Sequence, residues 1–230
     1  MEKTTVFHLI ILDESGSMGH LSQQTVSGCN ETLNVIRGLQ KKHGDTQRNL
    51  VSIYAFQSDS DIPSRYLCKN VNIDKVVDVT LNDYKPWGCT PLLDAVGSTL
   101  VDLRAIAETH EDAVANVTII TDGYENSSKD YTWEKVHRLI SQLKELGWTF
   151  NFIGANIDVE EVSKKLNINN AMAFMATEAG TEKMWDTYSA CLNEAESARI
   201  EEEAEYRKAG MSHEEIKNNR KVRSKNFFKR

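Results

Sequence analysis

The sequence has little proline and no long hydrophobic run. Only three of its 230 residues are proline, which excludes collagen-like and proline-rich linker proteins. The longest apolar run, Val6 to Leu12, is interrupted by His8 and falls well short of the roughly 18 residues that a membrane helix needs. No basic segment precedes this run and no small-residue cleavage site follows it, so it does not have the pattern of a secretory signal.

Cysteine is scarce and scattered. The four cysteines are Cys29, Cys68, Cys89 and Cys191. No two of them are close enough for a zinc knuckle or a redox pair, and a chain of this length does not need disulfides. We therefore expect four reduced thiols, a cytoplasmic location and no membrane partner.

Charge is unevenly distributed. The net charge is −7, which disfavours non-specific binding to nucleic acid. Residues 211–230 hold seven Lys and Arg against two Glu, a net of +5, so the first 210 residues carry −12. The tail is either a solvated terminus or a docking segment for an acidic partner. Apolar periodicity ends near Ile200, so removing residues 211–230 is expected to leave the melting temperature nearly unchanged.

Segments typical of strands alternate with segments typical of helices. Short β-rich apolar runs predict strands at 6–12, 50–56, 116–121, 148–153 and 171–175, with shorter extended pieces at 65–68 and 76–79. Apolar steps of three and four predict helices at 21–43, 91–107, 133–143, 158–166 and 184–198. This alternation predicts an α/β fold with a doubly wound, mostly parallel sheet and helices on both faces.

Three polar loops follow predicted strands or precede a helix. They read Asp13-Glu14-Ser15-Gly16-Ser17, Gly88-Cys89-Thr90-Pro91 and Thr121-Asp122-Gly123. Ligands of such sheets bind beyond the carboxyl ends of the strands, so we expect these loops to converge there. Two carboxylates and three hydroxyls without His or thiolate suit a hard cation, with Mg²⁺ first, Mn²⁺ as a close substitute and Ca²⁺ less suitable.

The pattern Asp13-x-Ser15-x-Ser17, then Thr90, then Asp122, resembles the metal-ion-dependent adhesion site (MIDAS) of von Willebrand factor type A (vWA) domains. The run from Gly88 to Ala95 is similar to that family's threonine loop. The resemblance covers about residues 4–195. It implies a vWA domain at residues 1–197 with an antiparallel edge strand, followed by a polar, then basic, helical tail at 198–230.

The resemblance also implies a role for each site residue. Ser15, Ser17 and Thr90 would coordinate the metal through their hydroxyls, and Asp13 and Asp122 would act directly or through water. An open coordination position would accept an Asp or Glu side chain of a partner protein. The expected function is a metal-dependent protein–protein interaction module that is not an enzyme.

The alternative is a magnesium-dependent phosphohydrolase on a related α/β sheet. That class needs a second carboxylate two residues after the first Asp, where this sequence has Ser15. Dinucleotide-binding and P-loop glycine motifs are absent. Phe227 and Phe228 are too few for a nucleic-acid stacking platform, so no nucleic acid partner is expected.

Several residues keep two interpretations. Ser15, Ser17 and Thr90 are also suitable helix caps. Asp94 either orients the threonine loop or only sits in a first helical turn. Glu14 is expected at the rim of the site, His8 in the core and His20 in an exposed loop. Trp87 and Tyr124 either pack or form binding hot spots.

Overall fold

The computed structural model describes residues 3–59, 61–223 and 227–228. The strands are β1 Thr4–Asp13, β2 Gln47–Phe56, β3 Arg65–Asn72, β4 Ala113–Thr121, β5 Thr149–Gly154 and β6 Asn170–Ala173. The helices are α1 Ser22–His43, α2 Leu92–Ala107, α3 Trp133–Lys144, α4 Val159–Lys165, α5 Glu178–Lys208 and α6 His213–Arg223, with short 3₁₀ segments at Gly16–Leu21 and Ile73–Lys75.

The six strands form one sheet in the order β3-β2-β1-β4-β5-β6. All neighbouring pairs are parallel except β2 and β3, which are antiparallel. This confirms the predicted mostly parallel α/β sheet with an antiparallel edge strand. The chain leaves β1 for β2 on one side and later returns to β4 on the other, so the strand order reverses at the carboxyl ends of β1 and β4.

Each face of the sheet packs against its own set of helices. Along β1, Phe7, Leu9 and Ile11 belong to a core cluster that includes side chains of α2 and α3. Ile10 and Leu12 belong to the cluster that includes α1 and α5. Every residue of β1 is buried, which explains why a strand covered on both faces reads as a continuous apolar run.

Two extended segments differ from the sequence prediction. The edge strand β3 continues to Asn72 rather than ending at Cys68. The segment Val76–Val79 is not a strand, although both of its end residues are buried in the core beside α1. Burial of the Val76 and Val79 side chains accounts for the apolar character of this segment.

The expectation that the tail does not dock is wrong for its described residues. Helix α5 passes residue 197 without interruption, and the following α6 packs back so that Ile216 and Arg220 are buried. Phe227 is buried too, and its ring lies 6.1 Å from that of Tyr188. The expected domain bounds of 1–197 and 198–230 stay a prediction. No helix in the described ranges is both long and apolar enough to cross a membrane.

Candidate metal centre

The first part of the site forms where β1 and β4 end side by side. Leu12 pairs with Ile120 in the parallel ladder, which places Asp13 next to Thr121. The Thr121 hydroxyl donates to Asp13 Oδ2 at 2.5 Å, and the backbone N–H of Ser15 donates to Asp13 Oδ1 at 2.7 Å. Asp13 is completely buried, so its carboxylate is fixed in position before any ligand binds.

The two serines and the second aspartate form one hydrogen-bonded group. Ser17 Oγ donates to Asp122 Oδ1 at 2.5 Å, and Ser15 Oγ lies 3.1 Å from Ser17 Oγ. Ser15 and Ser17 do not act as side-chain caps, since α1 begins after Leu21 and Ser15 makes no capping bond to the 3₁₀ segment. Their hydroxyls are therefore available to the site.

The threonine loop completes the group from the third side. A Cβ placed on Gly123 would lie 3.4 Å from Thr90 Oγ1 and 4.0 Å from Ser17 Oγ, so both hydroxyls border this glycine. Helix α2 has Pro91 at its N-cap position, and Thr90 does not cap it. The Thr90 backbone N–H donates to Asn126 Oδ1 at 2.8 Å, which fixes the loop. The structure thus brings together all five residues singled out from the sequence.

The electrostatics of the site fit a bound cation. Burial raises the pKa of the Asp13 carboxyl to about 6, and hydrogen bonds from Thr121 and Ser15 offset only part of that effect. Burial also raises the pKa of Asp122. Asp122 Oδ2 is buried without a hydrogen-bond partner in the described part of the chain. Two desolvated carboxylates beside three hydroxyls form a donor set that a hard divalent cation would satisfy.

The described residues contain no group of three or more His, Cys, Asp and Glu side chains placed to hold a metal. This agrees with a site in which hydroxyls outnumber carboxylates. Within residues 3–59, 61–223 and 227–228, neither Asp13 nor Asp122 forms an ion pair with Lys or Arg. In this part of the chain, the charge of the two carboxylates is therefore not balanced by a Lys or Arg side chain.

The expected rim position of Glu14 is wrong. Glu14 is completely buried, and Arg65 binds its two carboxylate oxygens at 2.6 and 3.1 Å. Gln57 Nε2 donates to it at 3.1 Å, and the backbone N–H of Lys85 donates to it as well. The side chain thereby ties the first loop to β3 and to the segment that leads into the threonine loop.

Two acidic residues behind the threonine loop organise the neighbouring backbone. The Asp94 carboxylate accepts the backbone N–H groups of residues 129, 130 and 131 at 2.7 to 2.9 Å. Asp94 lies in the first turn of α2, and its carboxylate orients the segment 129–131 rather than the threonine loop. Glu125, which the sequence reasoning missed, accepts the N–H groups of Leu93, Ser127 and Ser128. Its position three residues after Asp122 is the sequence feature that could have identified it as part of this region.

The remaining candidates divide between core and surface. His8 is a buried core residue, as predicted, with Nε2 3.0 Å from Asn49 Oδ1, and burial lowers its pKa. His20 is exposed, with Nδ1 2.8 Å from the Ser17 carbonyl oxygen. Trp87 and Tyr124 are 66% and 52% exposed, so neither ring is used for core packing.

No known protein-family profile matches the sequence. A search of curated proteins finds no match either. Comparison of structures does find similar folds, although sequence identity to them is low.

Three solved structures illustrate this similarity. The pilus adhesin SpaC from Lactobacillus rhamnosus GG, in an open conformation, is 13% identical over 84% of this chain and 30% of its own, with a TM-score of 0.60. A von Willebrand factor type A protein from Catenulispora acidiphila is 16% identical over 83% of this chain and 43% of its own, with a TM-score of 0.56. Proximal thread matrix protein 1 from the mussel byssus, with a zinc-occupied MIDAS motif, is 13% identical over 83% of this chain and 46% of its own, with a TM-score of 0.53.

This chain spans less than half the length of each of these three proteins. Each match extends over more than four fifths of this chain. From its sheet topology and these structural matches, the chain contains a domain of the von Willebrand factor type A fold.

Proposed function

We propose that this chain is a metal-dependent protein–protein interaction module in which a divalent cation at the candidate metal centre contacts an acidic side chain of a partner protein. The observation that carries the proposal is Asp122 Oδ2, a buried carboxylate oxygen without a hydrogen-bond partner in the described residues. Leaving such an atom unpaired is costly, and a cation removes that cost.

The five residues would supply two different kinds of metal ligand at this site. Ser15, Ser17 and Thr90 offer neutral hydroxyl oxygens, and Asp13 and Asp122 offer the negative charge. A divalent cation bound there supplies positive charge and a coordination position open to an outside carboxylate. Because three of the five protein groups are neutral, a partner's carboxylate gains more here than at a site crowded with acids.

Magnesium is the proposed metal, with Mn²⁺ as a substitute. Oxygen donors alone favour hard cations, and short Ser and Thr side chains suit a compact octahedral shell. A structural neighbour carries zinc in its MIDAS motif, which supports a divalent cation in general. A cytoplasmic location is part of the same proposal.

The proposal includes no catalytic activity, in contrast to the phosphohydrolase alternative. Ser15 occupies the position where that alternative needs a second carboxylate. The adjacent Glu14 does not replace it, because Arg65 and Gln57 hold its carboxylate. The nearby His20 has each ring nitrogen next to a backbone carbonyl oxygen, of Ser17 at 2.8 Å and of Ala176 at 3.2 Å, so it is poorly placed as a general base.

A metal titration tests the proposal. Mg²⁺ should raise the melting temperature of the wild type, with a stabilisation of about 2.7 kcal/mol when the free metal is 100 times its dissociation constant. The double variant Asp13→Asn with Asp122→Asn should lose this response. Asp45→Asn with Asp74→Asn, which changes two exposed aspartates, is the matched control and should respond like the wild type.

Two results would contradict the proposal. One is an equal response to Mg²⁺ in the wild type and the Asp13/Asp122 double variant, since the metal would then bind elsewhere. The other is a magnesium-dependent hydrolysis of phosphoesters that survives repurification and disappears in Asp13→Asn, because the site would then be catalytic.

A further inference from the structure

Some exposed apolar side chains lie at the edge of the sheet that holds the candidate metal centre. Among the described residues, the large exposed apolar side chains are Val77, Leu81, Trp87, Val101, Tyr124, Leu146 and Met175. Three of them, Trp87, Tyr124 and Met175, belong to loops at the carboxyl edge of the sheet, and they are 66%, 52% and 72% exposed. Single exposed apolar residues are common, but a group around one polar centre points to a binding surface.

Trp87 lies directly against the first metal loop. Its backbone N–H donates to the Glu14 carbonyl oxygen at 2.9 Å, and the next residue, Gly88, accepts the Gly16 N–H at 3.1 Å. Trp87 therefore lies where the loop that carries Thr90 meets the loop that carries Ser15.

Tyr124 lies on the side of the second aspartate. It follows Gly123, which borders the Thr90 and Ser17 hydroxyls. The phenol oxygen accepts the backbone N–H of Asp158 at 2.8 Å. Because this bond holds the far end of an exposed ring, binding a partner costs little side-chain entropy.

Met175 reaches the site through the loop after β6. His20 connects this loop to the metal loop, with Nδ1 2.8 Å from the Ser17 carbonyl oxygen and Nε2 3.2 Å from the Ala176 carbonyl oxygen. Met175 precedes Ala176 and so lies within one residue of that connection. We call Trp87, Tyr124 and Met175 together the apolar rim.

Two segments on the Trp87 side of the rim carry no acidic side chain. The segments 16–20 and 85–89 contain Lys85 and His20, both exposed, and no Asp or Glu. An acidic side chain can therefore approach the metal centre from these loops without meeting a carboxylate of their own.

We infer that the apolar rim is the part of the partner-binding surface that selects the partner, and that the partner presents an Asp or Glu flanked by aromatic or aliphatic side chains. This inference rests on the proposed function, which supplies the contact to the acid. The metal contact fixes where the partner's acid lies, and apolar neighbours packed on the rim exclude water from it. Each rim aromatic should contribute about tenfold in affinity.

A displayed peptide library tests the inference. The central position encodes Asp, Glu, Asn or Gln, and three random positions stand on each side. The full chain selects peptides in Mg²⁺, and peptides that also bind in EDTA are removed. The affinity of the enriched peptides is then measured for Trp87→Ser, Tyr124→Ser and Met175→Ser. Leu146→Ser, which changes a 51% exposed side chain at the opposite edge of the sheet, is the matched control.

The expected result is enrichment of Asp or Glu at the centre and of aromatic or aliphatic residues beside it. Trp87→Ser and Tyr124→Ser should each weaken the enriched peptides about tenfold, and Leu146→Ser should not. Tyr124→Phe keeps the ring but loses the bond from the Asp158 N–H, so it should weaken binding less than Tyr124→Ser does. Unchanged melting temperatures of the variants would show that their folds are intact.

Two different failures can be told apart. Enrichment of an acid without apolar neighbours, or equal weakening by Leu146→Ser, would overturn the role of the rim and leave the proposed function standing. Failure to enrich acids over their amides in Mg²⁺ would contradict the proposed function, and the inference that rests on it would fall too.

Discussion

The carboxyl and amino edges of this sheet both bury carboxylates, but they compensate the charge differently. At the amino edge, Arg220 binds Asp112 at 2.6 Å and Glu203 at 2.7 Å. Arg199 binds Glu196 at 2.9 Å and Glu203 at 3.2 Å. At the carboxyl edge, hydroxyls and a backbone N–H are the partners of Asp13 and Asp122 in the described chain.

The pKa directions reflect this difference. Burial alone would raise the pKa of Glu203, but Arg199 and Arg220 outweigh it and lower the pKa. Burial raises the pKa of Asp13 to about 6, and among the described residues no guanidinium group pairs with its carboxylate. Buried charge that the protein neutralises itself is structural, and buried charge that it leaves uncompensated favours a ligand from outside.

Glu14 sharpens the comparison because it lies inside the first metal loop. Arg65 pairs with it, whereas Asp13, one residue earlier, has no such partner in the described residues. The chain can therefore place a guanidinium group beside this loop. The lack of a guanidinium partner for Asp13 in the described residues is therefore specific to Asp13, since its neighbour Glu14 has one.

The largest expected effect comes from removing the tail that closes the amino edge. Deleting residues 211–230 removes the buried side chains of Ile216, Arg220 and Phe227. Lost apolar burial and the loss of the guanidinium group shared by Asp112 and Glu203 should cost about 5 kcal/mol. For a chain of this length that is a fall of roughly 10–20 °C in melting temperature. Calorimetry of the truncated chain measures it, and an unchanged melting temperature would show that the tail is not docked.

A smaller effect is expected when only the central cation of this edge is lost. Arg220→Met keeps much of the side-chain volume but leaves Asp112 and Glu203 without their shared partner, which should cost about 3 kcal/mol. The control is Arg138→Met, whose pair with Glu134 is exposed and should be worth less than about 0.5 kcal/mol. Urea denaturation compares the two, and equal effects would refute the structural role given to the buried network.

The smallest expected effect is at the carboxyl edge. Thr90→Ala removes one neutral oxygen while both carboxylates stay, so Mg²⁺ affinity should fall about tenfold, or about 1.4 kcal/mol, and less than in the Asp13/Asp122 double variant. Thr109→Ala, which changes an exposed threonine bonded to its own helix end, is the control. Titration calorimetry measures the Mg²⁺ affinity of the wild type and of each of these variants. A larger loss for Thr90→Ala than for the aspartates would reverse the assignment of charge and neutral ligands.

The sequence by itself predicted the mostly parallel sheet and the five residues that the structure brings together at one edge of it. Strands buried on both faces appear in the sequence as continuous apolar runs. The end of each run identifies the polar residues at the carboxyl ends of β1 and β4. Parallel strands bring their carboxyl ends to one edge, so the convergence of Asp13 and Asp122 follows from the pattern and needs no knowledge of side-chain packing.

Only the tertiary structure decided which of the other residues are buried in ion pairs and which lie exposed beside the candidate metal centre. Glu14 meets Arg65 across 51 positions of sequence, and Arg220 meets Asp112 across 108. Met175 joins the rim only because β6 is the last strand of the sheet and its following loop reaches His20. Local periodicity carries no information about such distant pairs, since they form only when the strands and helices have packed together.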